Sequence, residues 1–311
     1  MANITASQVK ELRESTGAGM MDCKTALNET GGDMEAAVDW LRKKGLSKAA
    51  KKADRAATDG LIGLAFDAKD GGMTGAMVEV NSETDFVARN EEFQAGVRAI
   101  AAAATDANDV DALKGATLDS GEDVETRLTN MIAKIGENMT LRRMARIDVA
   151  PGVVTGYVHN AAAENLGKIG VLVGLKSEGD ADKLNELGRK IAMHVAAAAP
   201  LAKDVDSLDP EVIERERTLL ADQARDSGKP ESIIDKMVEG RMRKFYEESV
   251  LLNQPFVMDP DVTVSQLIEN TGKELGASVE LVDFIRLGLG EGVEKNEDDF
   301  AGEVAAMAGK G

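Results

Sequence analysis

GAMVEVNSETDFV, residues 75–87, contains the strongest structural signal in this chain. Its first part, 75–80, is a short apolar run of the kind that forms a buried β-strand. A similar run at 61–66 precedes it, and turn-forming residues at 69–72 lie between the two. We therefore predict a β-hairpin, followed by a polar turn that carries Thr84-Asp85-Phe86-Val87.

The turn at 84–87 admits two interpretations. In the first, a rigid strand end presents Asp85 and Phe86 outward to a partner. In the second, Thr84 caps a helix, Asp85 complements the helix dipole and Phe86 enters the core. The residues alone favour neither interpretation over the other.

The order of hairpin, helix and further strand occurs twice along the chain. The helices of the two halves also share a local pattern of small, apolar and basic residues. We therefore predict an α+β fold with two related α+β core subdomains, each a small antiparallel sheet covered by helices. The predicted strands lie at 61–66, 75–80 and 141–147, then at 152–157, 169–175 and 282–289, and the helices lie at 90–104 and 180–199.

Residues 1–55 are predicted to form a domain of three short helices and a linker. Thr5 and Gln8 match a capping box at the start of the first helix, and glycine residues separate the helices. Apolar residues at helical spacing supply the core, with Trp40 at its expected centre. The third helix is expected to end before Gly45.

A basic segment joins this domain to the rest of the chain. Between Arg42 and Arg55 lie seven basic residues and one acid, Asp54, although the chain as a whole is acidic. The segment is either a docking patch for RNA or a protein, or a solvated helix that links two domains. Because no aromatic residues are interleaved, the linker is the favoured interpretation.

The remaining chain divides into three parts. Core subdomain N covers 56–150 and core subdomain C covers 151–290. Subdomain C includes an inserted antiparallel helical hairpin at about 210–252, which either packs on itself or binds a partner. A C-terminal helical module, 291–311, is expected to contain a short amphipathic helix at 298–307.

Composition and charge disfavour nucleic-acid-binding, disulfide-bonded, exported and membrane-spanning proteins. The 311 residues carry a formal net charge of −18, which disfavours direct binding to nucleic acid. The single cysteine, Cys23, excludes an internal disulfide, and residues 1–15 lack the apolar segment of an export signal. No apolar run is long enough to span a membrane. We therefore expect a cytoplasmic protein without a membrane segment.

Motifs for covalent chemistry are missing from the sequence. It contains neither a Walker A loop nor a GxGxxG turn between a strand and a helix. His159, His194 and Cys23 do not have the spacing of zinc ligands. His194 is expected in a helix core, His159 at a strand end and Cys23 on a buried helix face. We predict no cofactor, no metal and no catalytic residue.

Several motifs resemble those of the bacterial translation elongation factor Ts family. The resemblance extends over essentially the whole chain, with the motifs in the family's order. The clearest are TGAGMMDCK at 16–24, and VEVN at 78–81 leading into TDFV at 84–87. Similar stretches are KIGEN at 134–138, IAMHVA at 191–196, GKP at 228–230, QPFVM at 254–258 and DFA at 299–301.

This resemblance implies a guanine-nucleotide exchange factor that acts on elongation factor Tu, a GTPase, in its GDP-bound and nucleotide-free states. It also implies that the three-helix domain is similar to a ubiquitin-associated domain. By motif, Thr84, Asp85, Phe86 and Val87 form the turn that inserts into the GTPase and disturbs the site holding its magnesium ion.

Other contacts with the GTPase are implied position by position. Arg13, Met20 and Met21 match the family's contacts in the N-terminal domain. Ile135 and Gly136 match a contact of the core next to the inserting turn.

Two further features match the family, namely His159 and the helix predicted at 298–307. The loop after His159 departs from the family's pattern. His159 matches a histidine that approaches the phosphate-binding region of the GTPase. Residues 160–165 are expected to form a longer loop after it than in the best-known members. The predicted helix at 298–307 matches the module that grips the far side of the GTPase.

Two other classes of function are weighed against exchange. An adaptor or holdase would bind proteins through the three-helix domain and the hairpin, without nucleotide exchange. A hydrolase would use His159 or His194 with a nearby carboxylate, and the missing nucleophile and metal motifs make this class remote.

Overall fold

The computed structural model describes residues 4–16, 18–69, 71–228 and 230–293. Within these ranges the chain has the predicted α+β fold, with three N-terminal helices followed by antiparallel strands and their covering helices. The predicted helix at 298–307 and most of the predicted C-terminal module lie outside the described residues.

Three helices form the N-terminal domain. The predicted capping box opens the first of them, because the Thr5 N–H donates to Gln8 Oε1 (3.0 Å) and the Gln8 N–H donates to Thr5 Oγ1 (3.3 Å). The helices are α1 (Ala6–Thr16), α2 (Met20–Glu29) and α3 (Met34–Ala50).

Small and aliphatic side chains fill the centre of this domain, so the prediction of Trp40 at the centre is wrong. Trp40 packs at the margin, where the Lys44 ammonium lies 4.7 Å from the centroid of its ring. Small residues let the helices approach too closely for an indole to lie between them. The fully buried residues are Leu12, Cys23, Ala26, Leu27 and Ala37.

The first half of the core contains one hairpin, three helices and a third strand. The predicted strands are present and extend further than expected at both ends. The predicted helix at 90–104 is also present, with Asn90 accepting hydrogen bonds at its N-terminus. The elements are β1 (Asp59–Lys69), β2 (Gly72–Ser82), α4 (Glu91–Ala103), α5 (Val110–Lys114), α6 (Val124–Ile135) and β3 (Met139–Val149).

The second half repeats this order with a longer insertion before its last strand. The insertion includes the predicted helical hairpin, whose own core contains Leu220, Ala224, Ile234 and Met242. The elements are β4 (Gly152–Ala163), β5 (Leu166–Lys176), α7 (Ala181–Ala198), α8 (Pro210–Asp226), α9 (Glu231–Ser249), β6 (Pro255–Phe256), β7 (Asp259–Thr263), α10 (Val264–Leu275) and β8 (Glu280–Gly288).

The two hairpins belong to one six-stranded sheet. Its order is β3-β2-β1-β5-β4, with β8 also paired to β5. The two halves of the sheet are joined where Ile62 and Gly63 of β1 pair with Gly167 and Leu166 of β5. The small sheets predicted for the two subdomains are therefore connected.

Beyond this junction the two halves of the sheet pack face to face. Their shared core contains Ile62 and Met77 from the first half and Val154 and Leu172 from the second. The strands alternate, so that Val78 and Val173 point to the opposite faces, where α4 and α6 cover the first half and α7 covers the second. The core is thus a stack of helices, sheet, sheet and helices.

The third helix does not end before Gly45, contrary to the sequence prediction. It continues to Ala50, and Gly45 is buried within it. A Cβ atom at Gly45 would lie 3.7 Å from Thr129 Cγ2 and 3.8 Å from Ala133 Cβ, both on α6. Gly45 therefore marks a close contact between two helices. The basic segment at 42–55 lies partly on α3.

The loop predicted at 160–165 is shorter than expected. Strand β4 continues to Ala163, and β5 begins at Leu166. The pairing shifts between Ala161 and Ala163, and Asn160 and Asn165 have positive φ angles of 52° and 58°. Asparagine tolerates this backbone geometry, so residues 160–165 form a bulged hairpin end.

Candidate partner-binding site

The turn after β2 presents Phe86 to solvent. The Phe86 side chain is 75% exposed and Asp85 is also exposed, whereas Val87 is buried against the helices of the first half. The N-terminus of α4 is capped by Asn90, not by Thr84. The interpretation in which Thr84 caps a helix and Phe86 enters the core is therefore wrong.

Hydrogen bonds hold this turn on a rigid base. The Thr84 N–H and hydroxyl donate to the two carboxylate oxygens of Glu137, at 3.0 and 2.7 Å. The Ser82 hydroxyl donates to the Thr84 carbonyl at 3.1 Å, and the Arg89 N–H donates to the Phe86 carbonyl at 3.1 Å. The backbone on both sides of Asp85 is thus fixed, whereas its exposed side chain bonds to none of the residues that the structure describes.

Ile135 and Gly136 lie next to this turn, at the C-terminal end of α6. Ile135 is half-buried against the core of the first half. Gly136 ends the helix with a φ of 93°, which the absence of a Cβ atom permits. Since Glu137 follows directly and binds Thr84, the structure brings these two predicted residues together with the turn.

Arg13, Met20 and Met21 line a groove between α1 and α2. The groove has a volume of about 1010 Å³, and Met20 and Met21 are 60% and 69% exposed. Lys134 of α6 also lines it, so the groove extends to the helix that supports the turn. Flexible thioether side chains in a groove lined by four basic residues and one acid, Glu14, suit an apolar partner surface that carries acids. The remaining basic residues of the groove are Lys10 and Lys24.

His159 lies apart from these residues, on β4 of the second half. Its ring Nδ1 is 3.2 Å from the Tyr157 hydroxyl, and Arg189 lies 5.9 Å from the centroid of the Tyr157 ring. The side chain is exposed on a strand and not in the expected position at a strand end. None of the contacts of His159 among the described residues reaches the turn at 84–87.

His194 and Cys23 are buried, as predicted. His194 Nε2 lies 2.8 Å from Gln254 Oε1, and its Nδ1 accepts from the Val257 N–H at 3.1 Å, which assigns the proton to Nε2. Burial lowers the pKa of His194. Burial raises the pKa of the Cys23 thiol, which makes the nucleophilic thiolate less accessible. Neither residue is placed for catalysis.

A buried carboxylate that sequence analysis missed fixes the end of β8. Glu79 is fully buried and accepts hydrogen bonds from Arg142 (3.0 Å), Arg143 (2.5 Å) and the Gly290 N–H (2.9 Å). Burial opposes ionisation, but these donors and the Asn81 amide outweigh it and lower the pKa of Glu79. A glutamate inside the apolar run at 75–80 was the available signal.

Sequence analysis also assigned no role to Glu83, Glu137 or Asn138. The Asn138 N–H donates to Glu83 Oε1 at 2.5 Å, and Glu137 binds Thr84 as described. The polar residues that follow α6 were the available sign of such contacts. Their partners, however, lie 53 and 55 positions away in sequence.

No group of three or more His, Cys, Asp or Glu side chains in the described ranges is arranged to hold a metal ion. None of the helices described there has both the length and the apolar character that a membrane span requires.

Comparison with known proteins agrees with the motifs. A family model described as elongation factor TS matches residues 83–291. The elongation factor Ts of Maricaulis maris is 62% identical over 315 residues, and that of Caulobacter vibrioides is 59% identical over 312 residues, each with 100% of both chains covered. The protein of the same name from Rhodospirillum rubrum is 58% identical over 313 residues, again with both chains fully covered. With a matching family model over two thirds of the chain and relatives of about 60% identity over its whole length, this chain belongs to the elongation factor Ts family.

Proposed function

We propose that this protein is a guanine-nucleotide exchange factor of translation elongation, acting on elongation factor Tu. It binds the GDP-bound GTPase, disturbs the magnesium and phosphate site, and promotes GDP release and reloading with GTP. It makes and breaks no covalent bond. Family membership and the exposed Phe86 on a fixed turn support this function.

The mechanism depends on how a GTPase retains GDP. Backbone amides, a lysine and Mg²⁺ together neutralise the diphosphate. A protein that displaces the groups holding Mg²⁺ removes part of this neutralisation, and repulsion within the phosphates then favours release. The exchange factor needs no metal ligand of its own, since it must also dissociate.

Within the turn, the two exposed residues have different roles. Phe86 supplies apolar area that is buried on the GTPase and holds the disturbed state. Asp85 supplies a directional polar contact. Thr84 and Val87 anchor the turn, through Glu137 and the core respectively.

Further contacts spread the binding energy over separate surfaces. The groove of Arg13, Met20 and Met21, which Lys134 also lines, binds the nucleotide-binding domain, and the surface at Ile135 and Gly136 adds a contact next to the turn. His159 contributes from the second half of the core. Several modest contacts can be released one after another, which suits a factor that must leave.

Nucleotide and exchange factor oppose each other on the GTPase. By linkage, the factor weakens nucleotide binding by the same coupling free energy by which the nucleotide weakens factor binding. A factor that prefers the empty GTPase therefore accelerates release, and abundant GTP displaces it afterwards.

The single observation that carries this proposal is the exposure of Phe86 on a hydrogen-bonded turn. The test uses elongation factor Tu loaded with fluorescent GDP, mixed with catalytic amounts of this protein and excess unlabelled nucleotide. We expect faster loss of label with the wild-type chain. Asp85→Ala and Phe86→Ala should slow that loss by about tenfold or more, because each removes a contact made in the disturbed state.

Thermal melting provides the control for these variants. Both side chains are exposed, so melting temperatures should stay close to that of the wild type. An unchanged rate of label loss with the wild-type chain would favour an adaptor. Wild-type rates with both variants would remove the turn from the mechanism.

A further inference from the structure

Two glutamates join the turn at 84–87 to the segment just before β3, and each segment contributes one of them. Glu137 accepts from the Thr84 N–H (3.0 Å) and hydroxyl (2.7 Å), while Glu83 accepts from the Asn138 N–H (2.5 Å). Each segment thus supplies a carboxylate to a backbone N–H of the other. We call Glu83, Thr84, Glu137 and Asn138 the carboxylate clamp.

The clamp also binds the linker that leads from the three-helix domain. Arg55 Nη1 lies 3.4 Å from the Glu83 carboxylate, and the Asn138 side-chain amide donates to the Arg55 carbonyl at 2.8 Å. One residue before the clamp, the Gly136 carbonyl accepts from Lys52 Nζ. The linker is therefore attached at several points to the segment that holds the turn.

On its other side the same segment reaches the groove of the three-helix domain. Lys134 lines that groove together with Met20, and it forms an ion pair with Glu92 of α4 at 2.6 Å. Residues 134–138 thus lie between the methionine groove and the Asp85–Phe86 turn.

We propose that Glu137 is a positioning residue for nucleotide exchange. Through Thr84 it holds the Asp85–Phe86 turn in its exposed geometry, on the same segment to which the linker from the three-helix domain is attached. This inference rests on the proposed function.

The physical reason is preorganisation. A turn that is already ordered loses little conformational entropy when Phe86 is buried on the GTPase. Hydrogen bonds to an ionised carboxylate are stronger than neutral ones, so Glu137 orders the turn better than an uncharged acceptor would. Without Glu137, the Thr84 N–H and hydroxyl lose their common acceptor, and the turn must be ordered at the moment of insertion.

The test compares three variants of the full-length chain. Glu137→Ala removes both hydrogen bonds to Thr84. Glu137→Gln is the conservative replacement, because its amide oxygen can accept from the Thr84 N–H while its NH₂ group donates to a rotated Thr84 hydroxyl. Glu125→Ala is the matched control, since Glu125 is an exposed glutamate in the first turn of α6, the helix that precedes Glu137.

Three measurements are made on each variant: release of fluorescent GDP from the GTPase, thermal melting, and hydrogen–deuterium exchange of the peptide covering 82–90. For Glu137→Ala we expect GDP release to slow by about tenfold to a hundredfold, because misplacing a contact group by about 1 Å can cost that much in rate. Deuterium uptake should rise in that peptide and stay unchanged in β4 and β5. Glu137→Gln should restore most of the wild-type rate of GDP release and most of the protection from deuterium uptake. Glu125→Ala should match the wild type in both measurements.

Thr84→Val keeps the inference testable if Glu137→Ala does not fold. It removes the 2.7 Å hydroxyl bond and keeps the backbone bond, so release should slow by about three- to tenfold. A folded Glu137→Ala or Thr84→Val variant with wild-type release would overturn the positioning role, as would an alanine variant that raises deuterium uptake across the whole core. A wild-type chain that leaves GDP release unchanged would instead overturn the proposed function.

Discussion

At the scale of single residues, two adjacent side chains in one short turn differ widely in their exposure to solvent. Phe86 is 75% exposed, and the next side chain, Val87, is only 4% exposed. Val87 starts a 3₁₀ turn, in which successive side chains are rotated by about 120°, so consecutive residues do not share a face. The smaller apolar residue fills the core, and the larger one remains exposed to solvent.

Glu79 gives a residue-scale prediction about acid stability. Its pKa is lowered in the folded state, so its contribution to stability is complete above the ordinary carboxyl pKa and is lost as the pH falls through the lower folded value. Glu79→Gln should therefore cost stability at pH 7 and flatten the decline in stability below about pH 4.5.

The expected loss at pH 7 is about 2–3 kcal/mol, at or below the lower end for a broken buried ion pair. Arg142 and Arg143 keep side-chain exposures of 26% and 31%, so solvent compensates part of their lost partner. Urea denaturation at several pH values measures both effects. A variant whose stability falls with acid as steeply as the wild type's would contradict the assignment.

At the scale of elements, helix ends follow local signals except where another helix intervenes. Asn90 and Asp180 cap α4 and α7 close to the predicted starts, since their side chains bind backbone N–H groups within three residues. Gly45 would end a solvent-exposed helix by its intrinsic preference. Packing against α6 instead keeps α3 helical through this position.

Gly45→Ala tests this explanation. The new Cβ atom would meet Thr129 and Ala133 at 3.7 and 3.8 Å, which is ordinary contact, and alanine favours the helix by about 0.5–1 kcal/mol over glycine. We expect a small rise in the free energy of unfolding. Gly45→Leu should lower it, because the larger side chain forces α3 and α6 apart. Chemical denaturation distinguishes the two, and a destabilising alanine would refute the close-contact explanation.

At the scale of the whole molecule, glycines set how closely the two halves of the sheet approach. Gly75 of β2 faces β4, and a Cβ atom there would lie 2.4 Å from Val154 Cγ1. Gly170 of β5 similarly faces Met77, with a Cβ–Sδ distance of 2.5 Å. Because real Cβ atoms do not approach this closely, side chains at these positions would separate the halves.

Gly75→Ala should therefore destabilise the protein by about 1–3 kcal/mol through overpacking. Gly240→Ala is the matched control, since Gly240 lies in α9 with nothing within 4 Å of its Cβ position. That control should gain up to about 1 kcal/mol from helix preference. Calorimetric melting of both variants gives the comparison, and equal changes in the two would argue against close stacking.

Sequence patterns predicted the α+β class, the three N-terminal helices, the six strands of the large sheet, α4, α7, the helical hairpin and the family. They did not predict α5, α6, α10 or the pair β6–β7. Strand and helix patterns depend on residues within a few positions of each other, and the motifs are read directly from the chain. The Thr5–Gln8 capping box is one such local feature, and it is present.

Packing between distant segments sets how these elements meet. The exposure of Phe86, the continuation of α3 through Gly45 and the joining of the two sheets each depend on surfaces contributed by distant segments. The bond between Thr84 and Glu137 spans 53 positions. No periodic pattern encodes such a pair, because both residues are polar and lie in turns, where neither position in a strand nor position on a helix face specifies a partner.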